Sequence, residues 1–316
     1  MADNQNWERG VLEKLAMTAI QEQRRARHWG ILFKTLTFIY LFLLLFVIMG
    51  WGSEKGETTL GGKHTALVEL DGVIAANRQA SADNINASLE NAFKDKDTQG
   101  VILRINSPGG SPVQAGEMND EIRRLRAKYP KIPLYVVVED ICASGGYYVA
   151  AAADKIFVNK ASLVGSIGVL MDGFGFTGTM AKLGVDRRLF TAGVNKGFLD
   201  PFSPLDPKQK VIAQKMLDEV HQQFIDVVKQ GRGKRLKETP DIFSGLVWTG
   251  QKSIELGLAD GLGSVQSVAR DVIKAKNIVD YTKHENLADR LAKKFGAGVA
   301  SVMPGLLMQA SQMTMH

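Results

Sequence analysis

The chain has 316 residues and a formal charge of +6, from 39 Lys and Arg against 33 Asp and Glu. That is enough for one large domain or two modest ones with a sizeable core. The charge is dispersed through mixed-sign stretches, and the densest basic run, Lys229 to Lys237, has no interleaved aromatics, so it reads as a solvated helix end and not as a nucleic-acid surface. A single cysteine, Cys142, excludes an intrachain disulfide, and five scattered histidines give no metal-ligand spacing.

In chain order, residues 1–28 form a polar, basic N-terminal segment, and residues 29–51 read as a transmembrane signal anchor. The stretch LTFIYLFLLLFVIMGW, 36–51, carries no charge, and extended back to Trp29 it is long enough to cross a bilayer, with Lys34 snorkelling. Trp29 and Trp51 supply rings at interface depth. Arg24, Arg25, Arg27 and Lys34 crowd one side while Lys55 and Lys63 follow on the other, a bias that predicts a cytoplasmic N-terminus and a translocated body. The apolar run is too long for a cleaved leader, and no small-x-small site follows it. The Gly-rich GSEKGETTLGGK, 52–63, is a tether.

The body, 64–285, alternates strand-like and helix-like runs. Strands are expected at 64–75, 100–106, 132–140, KIFVN and SLVGSIGVLM, and again at VDRRLFTAG, 185–193. Helices are expected at 82–95, at 113–128, from SGGYYVAAAA, at TGTMAKLG and along a long amphipathic stretch from Pro207 to Gln230. The segment from 243 to 276 reads as mainly helical with Gly stops. Residues 286–316 end the chain as a helix and a Met-rich tail. Alternation of this kind implies parallel pairing, hence an α/β fold, and the strand-strand-helix order suits a superhelical stack better than a nucleotide-binding sheet. No GxGxxG or GxxxxGK[ST] opens a helix, so no cofactor is expected.

Ser144, in DICASGG, sits at a strand-to-helix turn. That turn holds the hydroxyl at the end of the sheet, and the following N–H groups face developing negative charge. Gly145 and Gly146 leave the approach open. The upstream turn NSPGG, with Gly109 and Gly110, is a second source of an N–H donor, although Gly-rich turns commonly do no more than end strands. No histidine lies in a strand-end loop. A lysine serves as base only when its amine is neutral, which requires shelter from water. Lys196 in TAGVNKGFLDPFSP is flanked by Gly193, Val194, Gly197, Phe198 and Leu199 with no carboxylate within three residues. Spacing alone does not separate this base from an ordinary loop lysine.

The segments NSPGG, ASGGYYVAAAADKIF, GSIGVL and TAGVNKGFLDPFSP, in this order, resemble the signal peptide peptidase A (SppA) family of bacterial membrane-anchored Ser-Lys peptidases, in its short single-repeat form, over about residues 64–275. The resemblance implies a ClpP/crotonase-like superhelix preceded by one transmembrane helix. It makes Ser144 the nucleophile, Lys196 the general base, Ser166 the residue that orients the lysine, and Gly110 and Gly145 the oxyanion donors. It further implies degradation of remnant signal peptides and hydrophobic segments on the outer side of the plasma membrane, by a ring-shaped homo-oligomer whose site is shared between subunits. Two other readings stand beside it. One is a catalytically inactive, ring-forming membrane scaffold of the same fold. The other is an acyl-CoA enzyme, which a translocated body disfavours.

Overall fold

The computed structural model describes residues 2–48 and 62–283. Trp51, most of the tether, His284 and the expected C-terminal helix and Met-rich tail lie outside the described residues. Helix α1 (Ala2–Ile48) and the body are separate units. Within α1, Ile20–Phe46 is long and apolar enough to cross a membrane by length and composition. Leu36, Phe38, Ile39, Tyr40, Phe42 and Leu43 are exposed around its whole circumference, as a lipid-facing helix would be. Thr35 and Thr37 donate their hydroxyls to the Ile31 and Phe33 carbonyls one turn back, so these polar groups are satisfied within the helix.

The body is built on a largely parallel sheet. Its strands are β1 (His64–Asp71), β2 (Thr98–Ser107), β3 (Leu134–Ala143), β4 (Lys155–Val158), β5 (Leu163–Gly165), β6 (Val247–Thr249), β7 (Gly261–Leu262) and β8 (Ile278–Asp280). β8, β1, β2 and β3 run parallel side by side. At β3 the sheet forks. Residues 135–137 pair with β4, which continues to β7, while 141–143 pair with β5, to which β6 adds antiparallel. The fork carries β5 and β6 to the carboxyl end of β3.

Period-2 alternation assigns the two faces. Val101, Leu103 and Ile105 of β2, with Val136 and Val138 of β3, point into the main core, while Ile102 and Val137 join a smaller cluster with Val265 and Val268. The main core is closed by α2 (Ala82–Lys94), α3 (Pro112–Lys128) and α4 (Gly145–Ala150). In α2, Ile85, Ser88, Leu89, Ala92 and Phe93 recur at helical spacing and are buried. α3 starts where Ser111 accepts from the Gln114 N–H and Pro112 occupies the first turn.

Beyond β5 come α5 (Thr177–Lys182) and then α6 (Pro207–Arg232), capped by Asp206. Three expectations need correction here. Residues 185–193 form no strand, because no sheet edge lies beside them to supply a ladder; Val185 instead donates back to Met180, and Arg187 pairs with Asp200. Residues 243–276 are not mainly helical: β6, α7 (Gly250–Glu255), β7 and short helical turns alternate, since Val247–Thr249 finds the open edge of β5. Lastly, the basic run after Lys229 is no simple solvated end. Arg232 is only 1% exposed, its guanidinium forked onto Asp260 at 2.8 and 2.9 Å and its Nε donating to the Gly257 carbonyl.

Candidate active site

β2 and β3 end side by side, with Ser107 opposite Cys142, and the turns that follow meet over the carboxyl edge of the sheet. Ser144 adopts φ 52° and ψ −123°, a left-handed conformation that costs a side-chain-bearing residue about 1–3 kcal/mol. Its N–H donates to the Gly165 carbonyl at 2.9 Å, and its carbonyl accepts from Tyr148 at 3.0 Å, so the turn is pinned from both sides. The hydroxyl is thereby presented at the mouth of the sheet.

The NSPGG turn closes against the serine turn. Ile74 grips it in a short parallel bridge, donating to the Gly109 carbonyl at 2.9 Å and accepting from Ser111 at 2.8 Å. Gly110, at φ 148°, has no room for a side chain: a Cβ there would stand 2.1 Å from the Ile74 oxygen. At Gly109, with φ 99°, a Cβ would stand 2.6 Å from the Gly145 nitrogen. The Gly110 nitrogen lies 3.3 Å from where a Gly145 Cβ would be, so the two turns are in close contact beside Ser144. Gly145 opens α4, so its N–H has no acceptor within that helix.

Ser144, Gly110, Gly145 and Ser166 line one cleft of about 560 Å³. Ser166 has φ 49°, donates its N–H to Leu246 at 2.7 Å and accepts from Gly168 at 2.9 Å. The rest of the wall is Pro112, Ala115, Tyr148, Gly168, Val169, Leu170, Val220, Gln223, Phe224, Ser244 and Gly245, so the cleft is mostly apolar. Sequence reading had missed Tyr148 and the α6 residues Val220, Gln223 and Phe224. Their helical spacing marks a docked face, but which turn of α6 meets the cleft depends on where the helix lies across the sheet. His221, on the same turn, has its Nε2 at 3.2 Å from the Ile167 carbonyl and lies outside the cleft lining.

Lys196 is not brought to this cleft. It sits in the turns between α5 and α6, exposed, outside the residues that surround Ser144. Val194 beside it is 98% exposed and Phe190 92%. The apolar neighbours therefore do not shelter the amine within one chain, because this segment packs on nothing that would close over it.

The floor of the site is buried and hydrogen-bonded. Tyr147, three residues past Ser144, is fully buried and donates to the Leu258 carbonyl at 2.8 Å; Asn119 donates to the Tyr148 carbonyl at 2.7 Å. Burial pushes the Tyr147 hydroxyl and the Cys142 thiol far up, so both stay protonated and unreactive. Among the described residues no cluster of His, Cys, Asp and Glu is arranged to hold a metal ion.

Residues 126–279 match the family model for Peptidase family S49. The chain is 31% identical to a putative signal peptide peptidase SppA of Enterococcus faecium, over 73% of this chain and 70% of that protein. It is also 31% identical to the putative protease MJ0651 of Methanocaldococcus jannaschii, over 85% of this chain and 94% of that one. The chain belongs to peptidase family S49. The sheet that forks at β3 is accordingly the ClpP-like fold of S49 peptidases. The chain is also 46% identical, over 60% of its length, to a Brucella melitensis protein named as a Na(+)/H(+) antiporter NhaA, of which it spans about a quarter, 26%. The S49 model region takes in Ser144, Ser166 and Lys196 and begins after Gly110.

Proposed function

We propose that the chain is a membrane-anchored serine endopeptidase working through a Ser144–Lys196 dyad. The Lys196 amine, unprotonated, takes the Ser144 proton; the alkoxide attacks a peptide carbonyl; the Gly110 and Gly145 N–H groups hold the tetrahedral oxyanion. The ammonium then protonates the leaving amine, water hydrolyses the acyl-enzyme, and Ser166 orients the lysine. The observation that carries the reading is the left-handed Ser144 turn, against which the Gly109–Gly110 turn closes. The mostly apolar walls of the cleft support remnant signal peptides and hydrophobic segments as substrates, bound extended.

Since Lys196 stands outside the cleft of its own chain, the base in this reading comes from a neighbouring copy in a ring. Exposed apolar side chains run along the same segment, from Leu170 and Phe174 through Leu189 and Phe190 to Leu205, and a second copy would bury them. α1 is the anchor, its basic side cytoplasmic and the body across the membrane, which protease protection of the body in sealed vesicles tests.

The dyad is tested by mixing. Ser144→Ala and Lys196→Ala should each abolish hydrolysis of a fluorogenic hydrophobic peptide, and co-assembly of the two inactive variants should restore it. Full activity in Lys196→Ala overturns the base. Two inactive variants that never complement overturn the sharing between copies. A wild-type chain whose Ser144 takes no serine-reactive probe favours the scaffold instead.

A further inference from the structure

On α1, a shallow groove is lined by Arg24, Arg25, His28, Trp29 and Leu32. At about 100° per residue these five fall within about 140° of arc, while Arg27 and Lys34 lie on the opposite side. The face is graded along the axis: Arg24 and Arg25 lead, His28 follows a turn later, and Trp29 and Leu32 continue the groove into the apolar run. Trp29 is braced by Phe33, with ring centroids 5.8 Å apart. Among the described residues none of these cations enters an ion pair; Glu22 is the nearest carboxylate in sequence and is exposed.

Depth supplies the second observation. The 27-residue span Ile20–Phe46 is about 40 Å long at 1.5 Å per residue, more than the ~30 Å hydrocarbon thickness. Trp29 to Phe46 alone covers about 27 Å. With that stretch in the hydrocarbon, Arg24, Arg25 and His28 stand at the depth of lipid phosphates and Trp29 at the boundary. Guanidinium groups match phosphate oxygens two at a time, and the ring and Leu32 below match an acyl chain.

We infer that Arg24, Arg25 and His28 form a headgroup site for one anionic phospholipid, whose acyl chain lies over Trp29 and Leu32. The inference rests on the reading of α1 as a membrane anchor. The site gives the anchor a preferred rotation and a lipid partner, beyond the diffuse attraction of any basic flank.

The test uses the full chain reconstituted in bilayers of equal phosphatidylglycerol and phosphatidylcholine, released into detergent and weighed by native mass spectrometry. Wild-type chain should retain phosphatidylglycerol over phosphatidylcholine by about tenfold, the scale of one to two juxtamembrane cations. Arg24→Gln with Arg25→Gln should bring the ratio near parity. Arg27→Gln with Lys34→Gln removes the same charge from the other side and should leave the preference intact. Parity in wild-type, or equal loss in both double variants, overturns the site. Displacement of the lipid by millimolar inorganic phosphate overturns the lipid as occupant. Alkaline extraction separates the two readings: a chain stripped from the vesicles overturns the anchor and the site with it, whereas a chain that stays without lipid preference overturns the site alone.

Discussion

Removing Asp260 should destabilise the body more than removing Arg232, although the two form a single ion pair. Arg232 is 1% exposed, and among the described residues its charge is met by Asp260 alone, the Gly257 carbonyl taking one further N–H. Asp260→Ala leaves a buried guanidinium without a counter-charge, a loss of about 3–5 kcal/mol. Asp260, by contrast, also accepts from the Ile156 N–H at 2.7 Å and from Arg235 at 3.1 Å. Arg232→Met keeps most of the volume and leaves that carboxylate with two partners, so its cost should stay near the 1–3 kcal/mol of an unmade hydrogen-bonding group. For a body of this size the first change corresponds to a fall of roughly 10 °C in Tm.

Urea and thermal unfolding of the full chain in detergent measure both variants. Burial pushes the Asp260 carboxyl up, but the hydrogen bonds and charge of Arg232, helped by Ile156 and Arg235, outweigh it and hold the group below the usual carboxylate range. A lowered native value stabilises above the unfolded pKa of about 3.9 and is lost as pH falls through the native one. The gap between wild-type and Asp260→Ala should therefore be full at neutral pH and close below about pH 4. Arg232→Met as damaging as Asp260→Ala, or a gap that persists in acid, refutes the reasoning.

Gly110→Ala, whose Cβ would stand 2.1 Å from the Ile74 oxygen, should displace the Gly110 N–H and lower kcat by about 100- to 1,000-fold in a folded chain; turnover near wild-type would remove Gly110 from the oxyanion site. Tyr281→Phe deletes the hydroxyl that donates to Asp95 at 2.6 Å and meets His64 Nε2 at 3.0 Å. That bond is the main cause of the lowered Asp95 carboxyl, so stability should fall by about 1–2 kcal/mol at neutral pH and the difference should narrow in acid, as urea midpoints across pH will register. Cys142, buried with its thiol pushed up, should resist alkylation in the native chain and react fully on unfolding, with labelling rates that follow global opening.

The elements legible in the sequence were those whose pattern is local. β2 and β3 announce themselves as β-branched runs and α2 by its helical period, and all three form within three residues of where the pattern places them. The Ser144 turn was legible for the same reason, since an alanine and two glycines around a serine after a strand leave few other conformations. What the sequence hid depends on partners far along the chain. Arg232 looks like one more cation in a basic run until Asp260, 28 residues on, comes to meet it. The stretch 185–193 has strand-like composition, but composition cannot supply a sheet edge.

Lys196 belongs to the same class, and the physical reason is sharper. Shelter for an amine requires surface on every side, whereas Gly193, Val194 and Gly197 offer only the chain's own thin edge; Val194, two residues before the lysine, is 98% exposed. Fully burying a Leu or Phe is worth about 1.5–3 kcal/mol. Leu170, Phe174, Leu183, Phe190 and Leu205 are all more than 60% exposed along this one segment, which leaves a large part of that gain unclaimed by a lone chain. A surface that covered these side chains would exclude water from the lysine in the same step. The complementation experiment thus measures two things at once, the origin of the base and the reason that so much apolar surface is left bare beside it.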